Sequence, residues 1–238
     1  MIVHVATTPA PEQDIDALER IHCDLAAHDL APAEHLVDGG YISPATIHRA
    51  RTEYGIDLVG PVRLPSRSRA LPGFDKEDFH PNWEERTLTC PNGATSPPWK
   101  PTLADGQPRL SVLFPRAVCR ACDDRPKCTG NVDGKGRHIL LLPQPLQEIQ
   151  NRVRNEQKTR AWQDRYVMRA GCEATVSETV HAHGLRNCRY RGTAKTHVQH
   201  VLTAAGTTII RLSQHRDDGG STDPNEARAP ASSICAND

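Results

Sequence analysis

The chain has no long apolar run. Nothing in its 238 residues approaches the roughly 20 consecutive apolar positions of a membrane span, which excludes a membrane-spanning helix. No basic-then-apolar leader begins at Met1, so the sequence predicts a cytosolic protein. Net charge is missing as well, with 29 Lys and Arg against 29 Asp and Glu. Taken whole, that balance argues against a nucleic-acid binder driven by electrostatics. Lysine is sparse, since 23 of the 29 basic residues are Arg. Arg suits bidentate phosphate contacts, although codon bias in a G+C-rich genome produces the same excess. The signature loops of several enzyme classes are absent too. There is no glycine-rich phosphate loop, no nucleophile elbow, no kinase motif and no metalloprotease His-Glu pair.

The zero net charge conceals a pattern. Residues 1–60 carry 3 basic and 10 acidic side chains, and residues 61–145 carry 13 and 9. Residues 146–216 carry 12 and 5, and the tail from Asp217 carries 1 and 5. An acidic front therefore precedes a strongly basic third quarter, and such asymmetry points to a charged partner.

Organisation changes along the same boundaries. Ile2–Ala6 is a β-prone run. Pro11 begins a helical pattern in which Ile15, Leu18, Ile21 and Leu25 recur at helical spacing. His35-Leu36-Val37 is a second short strand, Ser43-Pro44 starts a helix to about Tyr54, and residues 56–60 form a third strand. This β-α-β-α-β order predicts an α/β fold with parallel strands. Residues 61–145 lose that periodicity. Proline, glycine, single aromatics and four cysteines take over, and the interval reads as an insertion. Residues 146–216 are helical again, with Leu146, Ile149, Val153, Trp162 and Tyr166 as one apolar stripe. Gly171 interrupts, Gly184 marks a helix stop, and Val198, Val201, Leu202, Ala205, Ile209 and Leu212 mark a last helix. Residues 217–238 have the composition of a disordered tail.

Three groups of residues can carry chemistry. Asp38 ends a parallel strand and is followed by Gly39-Gly40, where open α/β sheets place their sites. Asp before two glycines is also an ordinary turn former. Tyr166, Arg169 and Glu173 are spaced three and four residues apart, which sets them on one helix face. By spacing alone, Arg169 and Glu173 make a surface ion pair. Cys90 and the run Cys119-x2-Cys122-x5-Cys128 can hold tetrahedral zinc and so organise an insert with a poor core. Buried free thiols fit the irregular spacing equally well. His181-Ala182-His183 and His197-x2-His200 lack a metalloprotease glutamate and read as solvated or DNA-facing imidazoles.

Taken together, these segments resemble a known family. Residues 35–43, His-Leu-Val-Asp-Gly-Gly-Tyr-Ile-Ser, are similar to the stretch around the second catalytic Asp of bacterial insertion-sequence DDE transposases. Tyr166-x2-Arg169-x3-Glu173 resembles the signature around their catalytic Glu, and residues 184–200 resemble the segment on its carboxy-terminal side. The cysteine pattern resembles one branch of that family. The likeness runs from about Val3 to Leu212.

The resemblance implies a ribonuclease-H-like fold with a cysteine-containing insertion. It implies phosphoryl transfer on DNA at two Mg2+ ions held by three carboxylates. Asp38 and Glu173 would be two of them. Tyr166, Arg169, Arg189, Arg191 and Lys195 would face DNA at the transposon ends. The family's first catalytic Asp belongs to an earlier strand, upstream of the equivalent of Met1, and the signature's frequent Lys is replaced by Val180 beside His181. The expectation is therefore an incomplete core, a carboxy-terminal part inactive alone. It would associate with a second copy or an intact transposase at the nucleoid, without a membrane. A non-catalytic DNA-binding module is the competing reading. A nuclease that recruits Asp57 or Asp16 is a third.

Overall fold

The computed structural model describes residues 1–64, 73–130 and 135–214. The predicted tail from residue 217 lies outside the described residues. In chain order the elements are α1 (Asp14–Ala27), β1 (Glu34–Leu36), α2 (Pro44–Tyr54), β2 (Asp57–Val59), β3 (His80–Asn82) and β4 (Thr87–Thr89). There follow β5 (Lys100–Ala104), β6 (Gln107–Leu113), α3 (Arg116–Arg120), α4 (Arg125–Cys128), β7 (His138–Leu141) and α5 (Gln144–Glu156). The chain continues with α6 (Arg160–Tyr166), a 3-10 turn at Val167–Arg169, α7 (Ala170–His181) and α8 (Thr193–Gln214). The content is mixed α and β. No helix among the described residues is long and apolar enough to cross a membrane. The chain divides into two compact units: Met1–Pro61 with the chain from Arg160 onward, and Val62–Thr159.

In the first unit, β1 and β2 pair in parallel, Glu34 opposite Asp57 and Leu36 opposite Val59. The crossover between them is α2. Ser43 caps it by a reciprocal pair of bonds with Thr46, Pro44 occupies its first turn, and Gly55 ends it in the left-handed region at φ 67°. Ile47 and Ala50 bury its inner face. In α1 the buried residues are Ala17, Leu18, His22 and Leu25, so His22 takes the place expected for Ile21. His22 Nε2 lies 3.0 Å from His35 Nδ1. Burial, then the neighbouring His35, pushes the His22 pKa down to about 4, so the ring is neutral at pH 7.

Two expectations for this unit are corrected. Ile2–Ala6 forms no strand. A β-prone run becomes a strand only with a backbone partner, and this segment finds side chains instead. The Ile2 amide donates to Thr208 Oγ1 at 3.3 Å, and His4 Nε2 lies 3.3 Å from Asp24 Oδ2. Thr7 Oγ1 meets the Nδ1 atoms of His197 and His200 at 3.1 and 2.9 Å, so those imidazoles are engaged rather than solvated. The apolar stripe of α8 is the second correction. Its buried position is Thr207, while Leu202 and Ile209 are 67% and 66% exposed. The helix turns its polar face inward because Thr7 and Ile2 bind it there. The interruption expected at Gly171 falls slightly earlier, as the 3-10 turn at Val167–Arg169, and Gly171 lies inside α7.

The second unit has its own core. All three Phe and two of the three Trp of the chain lie in residues 62–159. Phe79, Leu88, Trp99, Val112, Phe114, Ile139 and Leu141 pack together, with Cys90, Cys119 and Cys128 against them. The sheet is antiparallel in the order β5-β6-β7, beside a β3–β4 hairpin. The boundary expected at residue 145 lies instead between Thr159 and Arg160. Polar clamps hold α5 in this unit. Gln147 Oε1 accepts from the Leu142 amide at 3.1 Å, and Arg154 reaches Glu77 at 3.1 Å and the Arg63 carbonyl. Of the predicted stripe there, Val153 alone is buried.

Candidate functional site

Asp38 stands two residues beyond the carboxyl end of β1. The ladder still holds at Val37, whose amide donates to the Val59 carbonyl at 2.8 Å. Gly60 permits this closeness, since a Cβ there would stand 2.7 Å from the Val37 oxygen. Asp38 Oδ1 accepts from the Gly39 amide at 2.6 Å, which fixes the carboxylate at the turn.

A helical segment runs past this strand and contacts it three times. Arg165 bridges Glu34 and Asp57, the paired acids at the strand starts. The Tyr166 hydroxyl donates to the Val37 carbonyl at 3.1 Å. Arg169 Nη2 stands 3.3 Å from Asp38 Oδ2, and its Nη1 stands 2.5 Å from Glu173 Oε1. The Arg169 guanidinium lies 5.9 Å from the Tyr166 ring centroid, and Trp162 stacks on Tyr166 at 4.8 Å. The hydrogen bond to Glu173 pushes the Arg169 pKa up, so the cation is permanent. Burial raises that of Tyr166.

Asp38, Tyr166, Arg169 and Glu173 are thus gathered in one place. Asp57 is not a substitute, because it lies at the other end of the strand pair, opposite Glu34. Arg165 itself was missed by sequence reasoning. Its signal would have been the two facing acids at the strand starts.

Of the basic residues singled out, Arg189 and Lys195 line one open groove of about 540 Å³ with His183 and Tyr190. Arg191 is not among the lining residues. Tyr190, half exposed between basic neighbours, is a further residue of this groove.

In the second unit, Cys90, Cys119, Cys122 and Cys128 are free and line one cavity of about 360 Å³. The Asn92 side-chain amide donates through Nδ2 to Cys122 Sγ at 3.3 Å, and the Arg137 backbone amide to Cys119 Sγ at 3.5 Å. Burial pushes the Cys128 thiol up. No group of three or more His, Cys, Asp or Glu among the described residues is arranged to hold a metal ion. The predicted zinc set is therefore gathered around a cavity but not assembled. The expected centre of the first unit likewise offers two carboxylates, a number that suits Mg2+ completed by water and substrate phosphate.

Fold and site define an α/β chain with paired carboxylates beyond the end of a parallel strand pair. Residues 89–213 match the family described as transposase DDE domain. The chain belongs to that family, which points to a transposition-related function. The match includes Tyr166, Arg169 and Glu173, while Asp38 is joined to them by geometry. No curated protein and no solved structure matches the chain.

Proposed function

We propose that Asp38 and Glu173 are two carboxylates of a Mg2+-dependent phosphoryl-transfer centre acting on DNA in a ribonuclease-H-like core. The observation that carries this is the single guanidinium of Arg169 touching both acids. When bound, Mg2+ would activate the attacking water or 3′-hydroxyl and stabilise the leaving oxygen. The chain's own part is to fix the two acids in place. The Gly39 amide holds Asp38, and the turn spacing of the helix delivers Glu173. Arg189, Tyr190 and Lys195 form a groove where a phosphate backbone and an unstacked base can lie. A DNA substrate places this work at the nucleoid. The carboxy-terminal part of the exposed α8 stripe, Ile209 and Leu212, lies outside that groove and is the surface for a second copy or an intact transposase, which sedimentation velocity tests directly.

The test uses duplexes carrying the element's terminal sequences. Binding is expected to weaken with salt, and Arg189→Ala or Lys195→Ala should each lower the slope of log K against log salt by about 1. A non-catalytic DNA-binding role is the second reading, favoured by the groove. It gains if Asp38→Asn and Glu173→Gln leave every metal-dependent property unchanged.

The four cysteines around their shared cavity are read as a structural zinc site that closes when the thiols turn inward. Elemental analysis of protein purified without chelator should give one zinc per chain, lost in Cys122→Ser. Substoichiometric metal that ignores this substitution identifies them as free thiols.

A further inference from the structure

Asp38 and Glu173 share a cation that is part of the chain. Arg169 presents Nη2 to Asp38 at 3.3 Å and Nη1 to Glu173 at 2.5 Å. The two carboxylates are 63% and 65% exposed, whereas the Arg169 side chain is 20% exposed. Tyr166 lies against its guanidinium, and the Tyr166 hydroxyl is pinned to the Val37 carbonyl. The cation is thus backed by a ring fixed to the strand, with its donor edge turned to both acids. Two carboxylates brought together repel, and a cation between them removes that cost.

We propose that Arg169 is a resident counter-ion that occupies the divalent-cation position between Asp38 and Glu173, so that metal and guanidinium exclude one another there. This rests on reading the two acids as metal ligands. Metal arrival displaces the guanidinium from the acids. Tyr166 remains beside it, and its five N–H donors become free for a DNA phosphate. Arg169 is then a positioning residue whose DNA contact becomes available only when metal is bound. An arginine that merely scaffolds the acids behaves oppositely, because removing it would scatter the ligands and weaken metal binding. The sign of the change separates the two.

The experiment measures Mn2+ binding to the DNA-free chain from the signal of free Mn2+ in electron paramagnetic resonance. Arg169→Gln is expected to tighten binding about threefold to tenfold, the range set by losing one or two competing surface pairs. Arg160→Ala removes the same charge from a residue paired with Asp164, and should leave binding unchanged. Arg169→Lys keeps the charge but not the fork that reaches both acids, so its Mn2+ binding should fall between wild type and Arg169→Gln. Weaker or unchanged Mn2+ binding in Arg169→Gln overturns the proposal. The wild-type chain supplies a check that needs no folded variant: Mg2+ should shift the Arg169 Nε–H resonance, and a resonance indifferent to Mg2+ overturns it as well. Asp38→Asn and Glu173→Gln separate the two levels. If neither weakens Mn2+ binding, the metal-centre reading fails. If both do and Arg169→Gln also does, the centre stands and the exchange falls.

Discussion

Gly136→Ala should unfold the Val62–Thr159 unit. A Cβ at this position would overlap the Phe114 carbonyl oxygen and stand 2.8 Å from its carbon. Both atoms are backbone, so no side-chain rotation relieves the clash. The two segments cannot simply move apart, because the Phe114 amide donates to the Arg137 carbonyl at 3.0 Å. From there β6 and β7 pair onward, Leu113 opposite His138 and Val112 opposite Ile139. Phe114 is itself 2% exposed and meets Phe79 edge-on at 5.7 Å, so displacing it opens the core. A loss of about 4 kcal/mol or more is expected, the range reserved for strain and core disruption. Urea unfolding followed by Trp83 and Trp99 fluorescence reads this unit, since the two indoles pack at 5.1 Å within it. Gly106→Ala provides the scale. Gly106 has φ 71° with open space around its Cβ direction, so alanine there costs only the left-handed backbone, about 1 kcal/mol. Equal effects at the two positions would contradict the close approach at Gly136.

Local chemistry made part of this fold readable from sequence. The strand at residues 35–37, the helix starting at Ser43-Pro44 and the strand near residues 56–60 all appear, because caps and turn residues act within a few positions. The face shared by Tyr166, Arg169 and Glu173 also appears, since the helical period holds through the 3-10 turn. Asp38 was legible as the end of a strand, though its link to Glu173 is a long-range contact that spacing cannot supply. What failed depended on partners distant in sequence. Ile2–Ala6 has strand composition, yet its hydrogen bonds go to Thr208 and Asp24, and the neighbouring Thr7 binds two histidines of α8. The apolar stripe of α8 predicted the buried face and lies outward, because the polar face is held by Thr7. Residues 61–145 were read as depending on cysteine, but their aromatic side chains build a core that periodicity did not reveal. Net charge misled most. The +1 of Arg165 and of Arg169 is used internally, each against two acids, so neither the zero total nor the basic quarter measures what is available to DNA.

Asp38→Asn and Glu173→Gln are each expected to weaken Mn2+ binding by at least about tenfold, by analogy with the roughly 10–100-fold losses seen when a site's supporting shell is altered. The double variant should be little worse than either single one. Ligands of one ion act as a unit, so the first loss removes most of what the second could. Iron-directed cleavage gives an independent reading. Fe2+ with ascorbate and peroxide should cut the backbone near residues 38 and 173 together, because the two acids meet at one guanidinium. Either substitution should abolish both cuts, including the one at the unaltered residue. Loss at the substituted position alone would mean that the acids bind separately. DNA binding offers the contrast. The groove of Arg189, Tyr190 and Lys195 contains neither acid, so metal-free affinity for duplex should persist in both variants. It should even rise slightly, since each substitution removes a negative charge and frees one edge of Arg169 for phosphate.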